Sequence, residues 1–255
     1  MPKVDVHAAD SAARTGKEYR EVHEWLDNDP DNKAARHDLS KISENGKVVN
    51  DRFGPGGRAE FIRHLYDDVT MKVLAADVKL LREAGVSESD IAHCVKVAEK
   101  AAEVAWRISC AAGTEIDIGL VVRGALLHDL GKAKTHEIEH GRIGAEMGTA
   151  AGLPKSVTDI MEKHIRGGLT EEEAIELGLP VKDYTLGMLE ERIVIYADRL
   201  VDIITDGIVE TGPDEREAER RFVEILRSYP KYGKNEKTLA RYLGYHAEIQ
   251  GLITK

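Results

Sequence analysis

The feature that most constrains the fold of this chain is an apolar stripe that recurs at steps of three and four residues. Val97, Ala101, Val104 and Ile108 form one such stripe, and similar stripes follow along the rest of the sequence. This spacing is typical of amphipathic helices that bury one face against a shared core, and no segment shows convincing strand alternation. Aromatic residues make up only 5% of the chain, so aliphatic side chains must build most of the core. We therefore expect an all-α fold.

Glycine, proline and capping residues divide the stripes into separate predicted helices. These cover residues 71–84, about 87–111, 117–130, about 140–151, 154–164, 170–177, 189 to about 205, 213–228 and 235–253. The clearest break is the run Gly54-Pro55-Gly56-Gly57, which we do not expect inside a helix or a strand. The sequence thus predicts a charged N-terminal helical extension at 1–60, a core domain at 71–210, and C-terminal helices at 211–255 that pack on the core.

The composition of the chain limits which binding partners and which cellular compartment we expect. The formal net charge is −10, so we expect no bulk attraction to nucleic acid or to an anionic membrane, although a local basic pocket stays open. The two cysteines, Cys94 and Cys110, lie too far apart on one predicted helix to form a disulfide. No apolar run is long enough to span a bilayer, and the first residues lack the apolar stretch of a secretory signal. These features predict a cytoplasmic, reduced protein.

Histidines and aspartates interrupt the apolar stripes at single points in five predicted helices. A lone inward histidine is usually a hydrogen-bonded core residue, and a lone inward aspartate is usually a cap or an ion-pair partner. An ionised carboxylate on a core face costs several kcal/mol unless it is paired or bound to metal. Six such residues on different helices indicate one shared centre. They are His93, His128, Asp129, His140, His164 and Asp198.

The types of ligand indicate which metals this centre would take. Imidazole and carboxylate without thiolate favour one or two divalent ions (Fe, Mn, Co, Ni, Zn or Mg) over a structural zinc site. Six protein ligands exceed what one catalytic ion needs, because such an ion keeps positions open for water and substrate. Two ions bridged by Asp129, roughly 3.5–4 Å apart, would clamp a phosphate and lower the pKa of a nucleophilic water. No serine or cysteine nucleophile is evident.

At this point the motifs resemble a known family. The string Leu127-His128-Asp129-Leu130-Gly131-Lys132 resembles the signature of the HD superfamily of metal-dependent phosphohydrolases, and Tyr196-Ala197-Asp198-Arg199-Leu200 is similar to the family's final aspartate helix. The resemblance covers roughly residues 71–210 and implies an HD-domain helical bundle. It implies that His93, His128, Asp129 and Asp198 form the mononuclear ligand set and that His140 and His164 are the extra ligands of dinuclear members. It also implies that Asp129 and Lys132 are catalytic and that Lys132, Arg166 and Arg199 lie near the substrate phosphate.

Two subfamilies are most similar. One comprises archaeal-type HD hydrolases of unassigned substrate, which match from Lys134 through His164 and on to Tyr184. The other comprises HD enzymes that cleave dinucleoside tetraphosphates, which share the His140 and His164 spacing but have a threonine-containing turn where this chain has Ile165-Arg166-Gly167-Gly168. The chain also lacks the second histidine and the Gly-Tyr-Pro element of cyclic-di-GMP phosphodiesterases.

The expected function is therefore metal-dependent hydrolysis of a phosphate ester or anhydride in a small molecule, a nucleotide being the favoured substrate. Dinucleoside polyphosphates are an alternative substrate. A non-catalytic HD-fold protein that binds a nucleotide or regulates a partner is the alternative function, and a homodimer is a further possibility.

Some histidines and basic residues stay outside this centre. His37-Asp38 repeats the histidine–aspartate pair, and His23 and His64 flank it. A second metal site is one interpretation. An incidental dipeptide in a solvated helical segment is the one we favour, because no apolar stripe leads into it. We expect His136 to be a surface residue or to lie just outside the metal ligands. Segments 229–232 and 241–242 could line a pocket or a dimer contact, although helix packing is the simpler interpretation.

Overall fold

The computed structural model describes residues 4–38, 41–112, 114–209 and 216–254, with side chains described outside 43, 69–74 and 112. Every regular element within these ranges is helical, so the all-α prediction is confirmed. The helices are α1 (Val4–Thr15), α2 (Arg20–Asp27), α3 (Lys33–Arg36), α4 (Ile42–Ala84), α5 (Glu88–Ala112), α6 (Ile118–Leu127), α7 (His140–Ala150), α8 (Lys155–Lys163), α9 (Glu171–Glu176), α10 (Leu189–Thr205), α11 (Glu217–Arg220), α12 (Phe222–Ser228), α13 (Pro230–Gly233) and α14 (Glu236–Ile253).

Helix α5 is the centre of the bundle. It packs against α6, α10, α4 and α14, and the stripe predicted from the sequence is its buried face. Ala98, Ala101 and Ala105 are all fully buried on that face. Small side chains there let neighbouring helices approach closely, so the polar residues at the helix ends are brought near one another.

Local sequence signals fix several helix ends close to the functional region. Asp117 caps α6, since its carboxylate accepts a hydrogen bond from the Leu120 amide at 2.9 Å. Thr170 and Glu173 form a reciprocal capping box at the start of α9. Gly85 ends α4 with a φ of 89°, a backbone conformation that glycine adopts without steric cost.

The structure corrects the expected break at residues 54–57. A single helix, α4, runs from Ile42 to Ala84, and it is kinked at Gly54, whose φ is 76° and ψ 178°. Pro55 then takes the first position of the second half, where its missing amide hydrogen is not required. The glycine-rich run therefore forms a kink within a helix and not a loop. The prediction that a helix begins at residue 71 was wrong, because α4 is continuous through that position. The division into 1–60, 71–210 and 211–255 stays a prediction.

The N-terminal region has its own small hydrophobic cluster. Its buried members are Val22, Leu26, Val49, Phe61, Ile62 and Leu65. The expectation of a solvated segment around His37-Asp38 does not hold for the histidines, because His23 and His64 are buried and His37 is half-buried. Leu39 and Ser40 lie outside the described residues.

The C-terminal part differs from the sequence prediction in one respect. The predicted helix at 213–228 is two short helices, α11 and α12, and its expected start at Pro213 lies outside the described residues. Pro230 begins the short helix α13 before α14 closes the bundle against α5 and α10. Within the described ranges, no helix is both long enough and apolar enough to cross a membrane.

Candidate metal centre

The six predicted ligands come from different elements that meet at one cleft. His93 lies on α5 and Asp198 on α10, and His140 begins α7. His128 and His164 directly follow the last residues of α6 and α8. Asp129 precedes a short 3₁₀ helix, Leu130–Ala133. The structure brings all six side chains together, and their role as metal ligands stays a prediction.

The Asp129 carboxylate lies at the middle of the cluster, with its two oxygens directed to different histidines. Oδ1 is 3.2 Å from His140 Nε2 and 3.5 Å from His164 Nε2. Oδ2 is 3.1 Å from His128 Nε2 and 4.0 Å from His93 Nε2. One carboxylate thus separates two groups of imidazoles, which is the geometry required of a bridging ligand.

Asp198 completes the first of these groups. Its Oδ1 lies 3.1 Å from His93 Nε2 and 3.7 Å from His128 Nε2. Asp202, one helical turn further along α10, forms a related cluster of potential ligands with His93 and Asp198. The two groups are therefore His93, His128, Asp129 and Asp198 on one side, and Asp129, His140 and His164 on the other.

Main-chain carbonyls fix the orientation of three of the imidazoles. The Nδ1 atoms of His128, His140 and His164 each lie 2.7 Å from the carbonyl oxygen of the residue three positions earlier. Since a carbonyl only accepts, each Nδ1 carries a hydrogen and donates it. Such contacts orient an imidazole so that Nε2 faces the metal.

Gly131 explains how α7 comes so near Asp129. A Cβ atom at this position would lie 1.9 Å from the His140 carbonyl oxygen and 2.7 Å from the Gly144 amide nitrogen. The 3₁₀ helix and α7 can therefore touch only if residue 131 has no side chain. The glycine of the Leu-His-Asp-Leu-Gly-Lys string serves to hold His140 against Asp129.

The ionisation of the cluster reflects its burial and its close partners. Burial by itself would raise the pKa of Asp129, but His128, His140 and His164 hold that pKa well below its usual range. Burial opposes protonation of His128, yet the charges of Asp129 and Asp198 raise its pKa to about 9. Burial lowers the pKa of His164. The anionic Asp129 is thus paired with a proton on His128, which a cation would displace on binding.

The cluster forms the floor of a cleft of about 580 Å³ that basic side chains surround. Lys132 Nζ lies 2.5 Å from Asp129 Oδ2. Burial would lower the pKa of this ammonium group, but the Asp129 carboxylate raises it above its ordinary value. Arg166 also lines the cleft and has a left-handed backbone with a φ of 52°. Arg199 lines it too, but its terminal nitrogens are 3.0 Å from Asp202 Oδ2 and from the Tyr242 hydroxyl. Roles for Lys132, Arg166 and Arg199 in substrate binding stay predictions.

Sequence reasoning did not assign several residues of this cleft. Lys231, Lys234, Tyr242 and Asp202 all line it. Lys231 and Tyr242 fall in segments for which a pocket was only one interpretation. Lys234 has a positive φ of 58°, and burial lowers its pKa. The periodicity of apolar residues does not predict this unusual backbone conformation or its position beside a cleft. His136 is exposed at the rim, 4.0 Å from Asp90, as expected for a surface residue.

The donor set fits divalent metal ions. His140 Nε2 and His164 Nε2 are 2.9 Å apart, and each ring already donates from Nδ1, so two lone pairs face each other unless a cation or a proton lies between them. Ligands about 2.0–2.2 Å from one ion are separated by roughly 2.8–3.6 Å, from octahedral to tetrahedral angles. The nitrogen–oxygen distances around Asp129 fall close to that range. These residues could hold two ions that share Asp129.

Comparisons with known proteins match the region of the chain that contains this cluster. The HD domain family model matches residues 90–202, which include every predicted ligand. An uncharacterized protein of Methanocaldococcus jannaschii is 40% identical over 168 residues, covering 66% of this chain and 91% of that protein. A tRNA (cytidine(56)-2'-O)-methyltransferase of Picrophilus torridus is 40% identical over 124 residues, which are 49% of this chain and 35% of the relative.

Ribonuclease Y of Acidothermus cellulolyticus is 40% identical over 101 residues, covering 35% of this chain and 19% of the enzyme. The chain thus spans nearly all of the first relative but only a minor part of the other two. No solved structure shows significant similarity to it. The family match, the long archaeal alignment and the His/Asp cluster together show that this chain belongs to the HD superfamily of metal-dependent phosphohydrolases.

Proposed function

We propose that the protein hydrolyses a phosphate ester or anhydride in a small molecule and that the substrate is a nucleotide. The observation that carries this proposal is the position of Asp129. Its two oxygens face separate groups of imidazoles at the floor of a cleft with basic walls. A site with one shared carboxylate suits two cations, and basic walls suit the anionic group that two cations would polarise.

Divalent ions bound there would polarise a phosphoryl oxygen and lower the pKa of a water molecule that attacks phosphorus. The chain's own residues supply the rest. Asp129 would bridge the ions, and the carbonyl contacts of His128, His140 and His164 would keep each Nε2 directed toward them. Because these contacts exist before substrate binds, the site requires little reorganisation during the reaction.

The basic residues would bind the phosphate groups. Lys132 contacts the Asp129 carboxylate directly. If metal ions bound that carboxylate instead, the ammonium group of Lys132 would be free to contact substrate oxygens. Lys231, Lys234 and Arg166 also line the cleft. A cleft of about 580 Å³ lies within the ordinary range for small-molecule sites. These basic residues gather at one cleft of a chain whose net charge is −10.

Two of the relatives are named for action on RNA, which supports a substrate that contains a nucleotide. The acidic surface of this chain argues against tracking along a long polyanion. A small nucleotide therefore fits the site better than a folded RNA, and dinucleoside polyphosphates are included in the same class.

The test is metal analysis followed by a substrate panel. Protein purified without chelator is analysed for Fe, Mn, Co, Ni, Zn and Mg. It is then incubated with nucleoside mono-, di- and triphosphates and dinucleoside polyphosphates, with each metal in turn, and phosphate release is measured. We expect bound metal and turnover of at least one nucleotide. Asp129→Ala should lose both, whereas Asp183→Ala, which removes an exposed carboxylate, should retain both.

The same panel can refute the proposal. Nucleotide binding without turnover, at any metal supplied, would favour the non-catalytic alternative. Full activity of Asp129→Ala would refute a reaction that depends on the shared carboxylate.

A further inference from the structure

A second cluster of histidines lies in the N-terminal helices, outside residues 90–202 matched by the family model. Four of the ten histidines of the chain gather there with two aspartates, from α1, α2, the turn after α3, and α4. The residues are His7, His23, His37, His64, Asp27 and Asp68. We infer that His37, His64, Asp27 and Asp68 bind a divalent transition-metal ion of the zinc type, which holds the N-terminal helices together.

The distances between the four donors support this site. His37 Nε2 lies 3.4 Å from His64 Nε2 and 3.6 Å from Asp68 Oδ2. His64 Nε2 lies 3.7 Å from Asp27 Oδ2. Donors about 2.0–2.2 Å from a tetrahedral ion are roughly 3.3–3.6 Å apart, whereas hydrogen bonds with nitrogen donors are shorter, at about 2.7–3.2 Å. The measured contacts match ligands around one ion better than they match direct hydrogen bonds.

The position of the proton on His37 also supports a metal site. Its Nδ1 is 2.8 Å from the Lys33 carbonyl oxygen, which only accepts, so Nδ1 carries the hydrogen. The lone pair of a neutral His37 then lies on Nε2, the atom that faces His64 and the two carboxylates. This is the arrangement found in the first cluster, where carbonyls hold the Nδ1 atoms of three histidines.

A hydrogen-bond chain fixes His64 in the same state. Ser11 Oγ lies 2.7 Å from Glu60 Oε1 and 2.8 Å from the His7 carbonyl oxygen. Both oxygens only accept, so the hydroxyl donates its one hydrogen to one of them and can accept from His23 Nε2 at 2.9 Å. His23 Nδ1 then accepts from His64 Nδ1 at 3.0 Å. The chain leaves the lone pair of His64 on Nε2, directed at His37. Two lone pairs and two carboxylates would face one another, and a bound cation removes that repulsion.

Unpaired carboxylate atoms lie at the same place. Both oxygens of Asp68, which is 4% exposed, and Oδ2 of Asp27 are buried without a hydrogen-bond partner among the described residues. Asp27 Oδ1 is held 2.7 Å from Lys33 Nζ, which leaves Oδ2 for an ion. The His7 ring packs against His64 with centroids 4.0 Å apart and planes tilted by 32°, and its Nε2 is 3.9 Å from Asp68 Oδ1. A carboxylate is rarely left buried without a proton, a cation or hydrogen bonds.

The position of the ligands indicates a structural role. All four protein donors are largely covered, as in closed metal sites, and catalytic sites in contrast keep a position open. The hydrophobic cluster of these helices has only six buried members within the described residues. A metal ion that joins α2, the turn after α3, and α4 would stabilise the folded N-terminal region, whose hydrophobic core is small.

The test is the zinc content of matched variants of the full chain, after chelator treatment, reloading with Zn²⁺ and gel filtration. We expect His37→Gln to lower bound Zn²⁺ by about one equivalent per chain and to leave the nucleotide-hydrolysis panel unchanged. His136→Gln, the same substitution at an exposed histidine, should leave the Zn²⁺ content unchanged. Asp27→Asn, which keeps the side-chain shape, gives a second variant in case His37→Gln misfolds. Loading with Co²⁺ should give the intense visible absorption of tetrahedral Co²⁺ in wild type and less in His37→Gln.

A second background separates this site from the first cluster. Asp129→Ala/Asp198→Ala removes a carboxylate from each ion position of the first cluster. It should retain about one equivalent of Zn²⁺ and lose that ion when His37→Gln is added. A folded Asp129→Ala/Asp198→Ala protein that binds no Zn²⁺, or equal Zn²⁺ content in wild type, His37→Gln and Asp27→Asn, would overturn the inference. Neither result depends on whether the protein hydrolyses a nucleotide.

Discussion

His140 Nε2 and His164 Nε2 lie 2.9 Å apart although both imidazoles donate from Nδ1 to main-chain carbonyl oxygens. Both nitrogens also face Asp129 Oδ1. Without a cation, this arrangement needs a proton between two atoms that each favour a lone pair. An ion bound between this pair and Asp129 would therefore relieve the repulsion between the two lone pairs.

His164→Gln tests the two-group geometry of the centre. It should remove the ion next to His140 and retain the one held by His93, His128, Asp129 and Asp198, because Asp129 Oδ2 keeps its own partners. We expect loss of about one metal equivalent and a fall in kcat of about 100-fold or more, since one of two polarising ions is gone. Metal analysis and steady-state kinetics check both.

The control for this variant is His136→Gln, because His136 is exposed at the rim of the same cleft. It should keep the full metal content. A His164→Gln protein with unchanged metal content would show that the centre is built differently.

Gly131→Ala tests the close approach of the 3₁₀ helix to α7. The new methyl group would lie 1.9 Å from the His140 carbonyl oxygen, so α7 must move away from Asp129. We expect a destabilisation of about 1–3 kcal/mol, typical of forced overpacking, together with loss of the ion next to His140. Thermal unfolding and metal analysis of the same preparation measure the two effects.

Gly251→Ala is the matched control on α14. A Cβ there would meet nothing within 4 Å among the described residues. Since alanine favours a helix over glycine by about 0.5–1 kcal/mol, this variant should be slightly more stable and retain its metal. If both alanine variants behave alike, the steric explanation of Gly131 is incorrect.

The periodicity of apolar residues made both the core helices and the meeting of the six residues predictable. His93 lies on the same periodic face as Val97 and Ala101, so its direction toward the core follows from local spacing. The kink at Gly54 was misassigned because the same glycines and proline can end one helix or start the next half of a bent one.

The remaining residues could not be placed by local spacing. Lys234, which has a positive φ, lies about one hundred residues after Asp129 in the chain, and only tertiary packing brings the two residues to the same cleft. His37 lies after the short helix α3, where no apolar stripe reports its direction. A second metal site near His37 was one interpretation of the sequence, but only the packing of α4 brings His64 Nε2 within 3.4 Å of His37 Nε2.

Lys234→Ala tests the basic wall of the cleft. If Lys234 binds a phosphate oxygen, its loss should raise KM by roughly 10-fold or more, because a charge-assisted hydrogen bond contributes about 1.5–3 kcal/mol. Metal content should not change, as Lys234 lies outside the His/Asp cluster. Lys237→Ala, at an exposed lysine on α14, is the control and should leave KM within about 2-fold. An unchanged KM in Lys234→Ala would place the phosphate elsewhere in the cleft.

His246 should contribute to the loss of stability at acidic pH. Burial lowers its pKa below the ordinary value of 6.5, and Glu219 only partly opposes this shift. Between the folded and unfolded pKa values the unfolded chain binds more protons at this residue, so stability is present above pH 6.5 and is lost as the pH falls below it. One group that binds one extra proton in the unfolded chain lowers the free energy of unfolding by at most about 1.4 kcal/mol per pH unit. The contribution of His246 should be smaller than this limit, because the ring is partly solvated and its charge is screened.

Urea unfolding of wild type and His246→Gln at pH 7.5 and pH 5.5 measures this contribution, with all samples at the same metal load. The variant should lose less stability between the two pH values. Tyr196→Phe is the control, since it removes the hydroxyl 2.9 Å from His246 Nδ1 and retains the imidazole. It should be less stable at both pH values and retain most of the wild-type pH dependence, because the buried ring still resists protonation. An equal loss in wild type and His246→Gln would mean that other groups account for the acid sensitivity of the fold.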